Sequence, residues 1–281
     1  MPVDPYFTGP SPTDTWTPPD VAIADSGIPG PHGPVPLRTY RPRGDTRGAL
    51  LWAHGGGFRH GDLDMYEAHM LAAELAHRAG VFVASVDYRL AGDTVRYPVP
   101  VDDVHAAWIW LCRTESGPVS LGGASAGGAL ALATALRARD RAEPTPAALL
   151  LAYPFLHYPV PALDPKVCTE MTAASRFTAL SVEDMVRAYV GRISDIPPEA
   201  LPGAANLEKL PPTYLVVAEY DDLRASAELL ARQLGDLAVP VESYLARGMT
   251  HGHLNHPPVL PQMQESLDFF ARALRGCWGT S

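Results

Sequence analysis

The chain has 281 residues, 47% of them hydrophobic, and its 22 Lys and Arg against 31 Asp and Glu give a formal net charge of −9. This length suffices for one large core, whereas the acidic balance argues against nucleic acid or an anionic membrane as the main partner. We find neither a signal-peptide pattern nor a run of about 18 apolar residues, so we expect a cytoplasmic protein.

The order of the predicted elements indicates an α/β fold. The first 20 residues contain six prolines, which predicts an extended arm. From Val35 onward, short β-rich runs alternate with helical patterns, as in a mostly parallel sheet covered on both faces. In chain order the patterns predict strand 35–40 (antiparallel), strand 48–53, helix 66–79, strand 81–86, helix 101–112, strand 118–122, helix 126–139, strand 147–152, helix 182–190, strand 213–218, helix 225–234, strand 239–244 and helix 260–274.

One insert interrupts this alternation. The 60 residues between strands 147–152 and 213–218 are too many for a simple crossover, and they are rich in proline. They are a natural place for a lid over a site. No repeat or second core is visible, so we expect a single domain, residues 1–281. The three cysteines lie far apart without a CxxC pair, which predicts reduced thiols and no metal site.

The most informative motif is GASAG at residues 123–127, which follows an apolar run and opens an alanine-rich one. This strand–turn–helix setting is typical of a nucleophile elbow, where flanking glycines permit a tight turn. By composition, GxSxG is expected roughly 0.1 times in such a chain, so the motif needs support from other residues. It nominates Ser125 as a nucleophile at the carboxyl end of a strand.

A serine nucleophile needs a base and an orienting carboxylate, which follow it in the order Ser, Asp or Glu, His in folds with this elbow. Asp221 and Asp222 come just after strand 213–218, and His251 and His253 follow strand 239–244. An Asp there is also a common helix N-cap, and Asp222 sits where an N-cap would be. We favour Asp221 and His251 over their neighbours.

An oxyanion hole needs backbone N–H groups that converge on one point. The run HGGGF at residues 54–58 follows a predicted strand, and its glycines allow close approach to a ligand, although such a run can also be a flexible turn. Together with the N–H of Ala126, this loop predicts a pocket of three donors.

The chain resembles the hormone-sensitive-lipase-like group of α/β-hydrolases, the bacterial carboxylesterases with an HGGG motif. The resemblance extends from about Pro29 to the C-terminus and is carried by HGGGF at 54–58, DYRLA at 87–91, GASAGG at 123–128, YP at 153–154, EYDDLR at 219–224 and GMTHG at 248–252. It implies the α/β-hydrolase fold, with cap contributions from residues 1–30 and 154–205. For the site it implies a catalytic triad of Ser125, Asp221 and His251. It also implies an oxyanion hole formed by the N–H groups of Gly55, Gly56 and Ala126.

The chain departs from this group at several positions. Ala124 stands where an Asp usually precedes the nucleophile, and Asp222 replaces a usual proline. Gly92 and Asp93 replace the usual Pro-Glu pair, and the N-terminal arm is short where cap helices are common. The short arm suggests a more open entrance.

The resemblance implies a carboxylesterase that acts on small or medium acyl esters through an acyl-enzyme and needs no cofactor. The partner would be a small-molecule ester, and the resemblance suggests a sheet-edge homodimer formed by strand 239–244 and the helix from Leu260. The same triad also fits an aryl formamide or lactone hydrolase. A non-hydrolytic ligand-binding protein or a lyase of the same fold is less favoured, because Ser, Asp and His are all retained.

Overall fold

The computed structural model describes residues 16–171 and 176–277. Its strands are β1 Val21–Ile28, β2 Val35–Pro42, β3 Ala49–Ala53, β4 Phe82–Val86, β5 Val119–Ala124, β6 Leu149–Ala152, β7 Thr213–Tyr220 and β8 Val241–Thr250. Its helices are α1 Tyr66–Ala79, α2 Val99–Thr114, α3 Ala126–Asp140, α4 Pro165–Glu170, α5 Ala179–Val190, α6 Arg224–Asp236 and α7 Pro261–Gly276. Every strand and helix that the sequence pattern predicts is present.

The eight strands form one sheet in the order β1-β2-β4-β3-β5-β6-β7-β8. β2 is antiparallel to both of its neighbours, as predicted, and the strands from β4 to β8 are parallel. The chain therefore has the α/β-hydrolase architecture that the resemblance implies, with the carboxyl ends of the parallel strands along one edge.

Both faces of the sheet are buried under helices. In β3, Leu51 contributes to one hydrophobic cluster while Leu50 and Trp52 contribute to the other, because successive side chains point to opposite faces. Helices α2, α3 and α6 supply side chains to the first cluster, and α1 and α7 to the second. Among the described residues, no helix is long and apolar enough to span a membrane.

The N-terminal region departs from the expectation that residues 1–30 contribute to a cap. Val21–Ile28 instead forms the edge strand β1, paired antiparallel with β2 from Val21↔Pro42 to Ile28↔Val35. The pattern did not predict this strand because its middle six residues are all exposed and show no apolar alternation. Residues 1–15, the greater part of the predicted arm, lie outside the described residues.

The boundary of the last strand also differs, with a consequence for the site. β8 continues to Thr250, six residues beyond the predicted end, and pairs with β7 as far as Tyr220↔Thr250 through an irregularity in the ladder. The longer ladder places Asp221 and His251 directly after the ends of two adjacent strands. This pairing brings the two side chains to the same point of the sheet edge.

Candidate active site

Ser125 lies at the sharp turn between β5 and α3. Its backbone has φ 51° and ψ −116°, a left-handed conformation that non-glycine residues rarely adopt. The flanking glycines are required by space: a Cβ on Gly123 would lie 2.3 Å from the Gly127 oxygen, and one on Gly127 would lie 2.2 Å from the Ala53 oxygen. The turn is therefore pressed against β3 and holds the serine hydroxyl at the carboxyl edge of the sheet.

The structure brings the predicted Ser, His and Asp side chains into one hydrogen-bonded chain. His251 Nε2 lies 2.9 Å from Ser125 Oγ, and His251 Nδ1 lies 2.8 Å from Asp221 Oδ2. Because a carboxylate only accepts, Nδ1 carries the proton, and Nε2 of the neutral ring is left to accept from the serine hydroxyl. Asp221 is fully buried, and its second oxygen accepts from the N–H of Leu223 at 2.8 Å.

The neighbouring candidates have other partners. Asp222 pairs with Arg176 and accepts from the N–H of Phe177, and the helix N-cap expected of it is not formed, since α6 has Leu223 as its N-cap and no side-chain capping bond. His253 is buried with Nε2 3.1 Å from Ser266 Oγ, and burial lowers its pKa to about 3. Asp221 and His251 therefore lie in the chain of hydrogen bonds with Ser125, whereas Asp222 and His253 have other partners.

Two opposing effects set the pKa of His251. Burial lowers it, but the charge of Asp221 and the hydrogen bond to that carboxylate raise it, and the net shift is upward. Glu67 raises it further through its charge. The imidazolium is therefore stabilised relative to a free histidine, which suits a base that must hold a proton between two steps.

The glycine loop differs from the expectation in one donor. The N–H of Gly55 donates to Glu67 Oε1 at 2.7 Å and is therefore engaged away from the serine. Gly56 and Gly57, with φ of 99° and 60°, line the cavity in front of Ser125. Within the described residues, the N–H groups of Gly56, Gly57 and Ala126 have no hydrogen-bond partner. The free N–H donors of this loop are therefore those of the second and third glycines. Because the three glycines are identical in sequence, the motif alone could not show which N–H groups are free.

Glu67 is a buried carboxylate that sequence reasoning did not single out. It belongs to the first turn of α1 and is 1% exposed. Oε1 accepts from Gly55, Oε2 accepts from the Tyr153 hydroxyl at 2.7 Å, and its backbone N–H donates to Asn255 at 3.2 Å. Burial raises the pKa of Glu67, and the bonds from Tyr153 and Gly55 oppose that rise. The sequence feature that could have identified Glu67 is its position as a charged residue on the otherwise apolar face of α1.

A cavity of about 570 Å³ opens in front of the serine, within the usual size range of small-molecule sites. Its apolar walls include Phe155, Phe177 and Met185 of the insert. Tyr189 is instead core, stacked on Phe58 at 3.9 Å between ring centroids. Among the described residues, no three His, Cys, Asp or Glu side chains are grouped so that they could hold a metal ion.

Comparison with known proteins agrees with this architecture. The family described as an alpha/beta hydrolase fold matches residues 50–255. Esterase LipI of Mycobacterium tuberculosis is 34% identical over 92% of this chain and 82% of its own length, and Carboxylesterase NlhH of the same species is 32% identical over 83% and 75%. The solved structure of an esterase from Pyrobaculum calidifontis is 33% identical and superposes with a TM-score of 0.81 over 91% of this chain and 85% of that one. The chain therefore belongs to the hormone-sensitive-lipase-like carboxylesterases of the α/β-hydrolase family.

Proposed function

We propose that the protein is a serine hydrolase that cleaves carboxylic esters of small or medium acyl chain through an acyl-enzyme intermediate. The observation that carries the proposal is the chain of hydrogen bonds from Ser125 through His251 to Asp221, at the floor of an open cavity. The three relatives described above are esterases, which favours an ester over the formamide and lactone alternatives.

In the first step, Ser125 Oγ attacks the ester carbonyl carbon while His251 Nε2 takes its proton. Asp221 holds the ring orientation and stabilises the imidazolium. The carbonyl oxygen becomes negative and would accept from the N–H groups of Gly56, Gly57 and Ala126, which are without other partners among the described residues. In this proposal Gly55 supports the loop instead of contacting the oxyanion.

His251 then gives the proton to the leaving alcohol oxygen, and the acyl group stays on the serine. Water repeats the sequence, with His251 as base and Ser125 as leaving group, and releases the acid. The proton transfers use Ser125, His251 and Asp221, which are already linked by hydrogen bonds.

The insert supplies the outer wall of this site in the proposal. Val182 and Met185 of α5 line the cavity, which is consistent with residues 154–205 acting as a cap on a single domain. The exposed edge strand β8 remains the proposed surface for a homodimer.

The experiment is a pre-steady-state measurement of p-nitrophenol release from p-nitrophenyl acetate and butyrate, with an aryl formamide and a lactone tested in parallel. We expect a burst with the esters and a loss of roughly 10⁴- to 10⁶-fold in kcat for Ser125→Ala. Ser120 is a buried serine on β5, the strand that leads to Ser125, so Ser120→Ala is the matched control and should retain activity. Equal rates in Ser125→Ala and the native protein would exclude the mechanism.

A further inference from the structure

A second cavity of about 440 Å³ lies beside the catalytic one. Val160, Pro161 and Leu163 of the segment after β6 form the apolar part of its wall, and the charged side chains of Arg176, Glu183 and Asp222 line the rest. Phe177 and Val182 line both cavities. These two side chains therefore stand between the site where the ester reacts and a further space of comparable size.

Phe177 also contacts the catalytic base. Its ring is T-shaped against the His251 ring, with 5.0 Å between centroids and an interplanar angle of 79°. The side chain is 39% exposed, so its position does not follow from burial in the core. A half-exposed phenyl ring needs another restraint to stay against a catalytic histidine.

Asp222 supplies that restraint. Its Oδ2 accepts from the backbone N–H of Phe177 at 2.6 Å, and both its oxygens face Arg176 Nε, at 2.9 and 3.1 Å. Asp222 follows Asp221 in the chain, so the tether joins the insert to the loop that carries the triad acid. The carboxylate stands where the resemblance expects a proline, and a proline could not make these bonds. The departure at position 222 thus has a structural use.

The reaction chemistry indicates that Phe177 lies on the alcohol side of the bound ester. His251 Nε2 delivers its proton to the leaving oxygen, so the alcohol part of the ester lies on the His251 side of the serine. Phe177 packs on that same ring, and the second cavity lies beyond it. An alkyl chain on the alcohol that outgrows the first cavity therefore meets Phe177.

We infer that Phe177, anchored by Asp222, is a specificity-determining residue that restricts the ester's alcohol to short chains and shuts off the second cavity. This inference depends on the proposed esterase function and specifies its substrate class: esters of short alcohols. A smaller residue at position 177 joins the two cavities. Longer alkyl groups then bury more methylenes, each worth roughly a fourfold gain in kcat/KM when fully buried.

The test compares two substrate series on the same variants. Alkyl acetates from ethyl to octyl vary the alcohol, and p-nitrophenyl esters from acetate to octanoate vary the acyl chain. For Phe177→Ala we expect the best alkyl acetate to become longer by about three carbons, with the acyl profile unchanged. Leu180→Ala, a 68% exposed residue at the start of α5 that lines neither cavity, is the control and should match the native profile.

The tether is tested separately. Asp222→Ala should shift the alkyl acetate profile in the same direction as Phe177→Ala, whereas Asp222→Asn keeps an oxygen for the Phe177 N–H and should shift it less. Alkylation of Cys168, which lines the second cavity, should cancel the gain in Phe177→Ala and have no such effect once Cys168 is changed to Ser.

The outcomes distinguish the inference from the proposed function. If the native protein hydrolyses no ester of either series, the proposed function is wrong. If esters are hydrolysed but the alkyl acetate profile of Phe177→Ala equals that of the native protein, the role of Phe177 is overturned. A shift in the acyl series instead would overturn the assignment of the second cavity to the alcohol side.

Discussion

The buried carboxylate of Glu67 is expected to control both the stability of the site and the pH at which it works. Glu67→Ala removes the acceptor of the Gly55 N–H and the Tyr153 hydroxyl, both inside the protein. A buried donor left unpaired costs about 1–3 kcal/mol, so the substitution should lower the free energy of unfolding by about 2–6 kcal/mol. Typical domains have only about 5–15 kcal/mol of stability, so Glu67→Ala is expected to unfold at markedly lower urea concentration.

Glu67→Gln separates the charge from the hydrogen bonds. Its amide oxygen can accept from Gly55, and its NH₂ group can donate to the Tyr153 oxygen, so the fold should persist. Tyr153 lies between Glu67 and His251, with 4.9 Å between the Tyr153 and His251 ring centroids. At a separation on the order of 10 Å and an effective dielectric constant near 20, two unit charges interact by about 1.7 kcal/mol. Removing the charge should therefore lower the pKa of His251 by up to roughly one unit.

The assay is the pH dependence of kcat/KM for p-nitrophenyl butyrate, because its acid limb reports the free-enzyme pKa of the base. The native pKa of His251 is raised, and the negative charge of Glu67 contributes to that rise. Loss of the charge favours the neutral imidazole, so the acid limb of Glu67→Gln should move to lower pH. A role confined to folding would change the amplitude and leave the limb in place. An unmoved limb in a folded Glu67→Gln protein would refute the electrostatic argument.

Two further predictions concern the elbow and the triad. Asp221→Asn should lower kcat by about 10⁴-fold, because an amide can no longer hold the required tautomer of His251. Asp222→Asn should change kcat for p-nitrophenyl acetate only a few-fold. Comparable losses in both variants would contradict the assignment of Asp221 as the triad acid. Gly123→Ala should prevent correct folding, because its Cβ would lie 2.3 Å from the backbone oxygen of Gly127. A Gly123→Ala protein that is active and unfolds at the same temperature as the native protein in a thermal unfolding assay would show that the turn can relax.

Much of this architecture could be predicted from periodicity, since the buried strands and amphipathic helices carry strong patterns. Helix α1 ends at Ala79, and Gly80 adopts the left-handed conformation expected of a C-cap. β1 was missed because backbone pairing to β2 alone defines it, and its exposed side chains show no alternation. β8 was predicted too short because ladder bonds to β7, and not apolar content, extend it to Thr250.

The site was predictable where chemistry requires a residue type at a chain position, and less so where it requires a contact across the fold. Ser125 and His251 could be chosen from motif and order. The donor among three successive glycines could not, because the choice depends on Glu67, twelve residues away in sequence. Asp222 likewise acquires its role only through contacts with the insert.

The absence of a carboxylate at Ala124 and the presence of one at Glu67 are expected to be coupled. Ala124 is fully buried in the same cluster as the apolar face of α1, which carries Glu67. A second carboxylate there would lie on the face of the sheet against which α1 and its Glu67 pack, and like charges at close range disfavour joint ionisation. Ala124→Asp should therefore lower the free energy of unfolding by about 3–5 kcal/mol in the native background. In Glu67→Gln the same substitution should cost at least about 1 kcal/mol less, measured as the interaction energy of a double-mutant cycle in urea. Strictly additive effects would show that the two positions are independent, and that Ala124 is tolerated for reasons of packing alone.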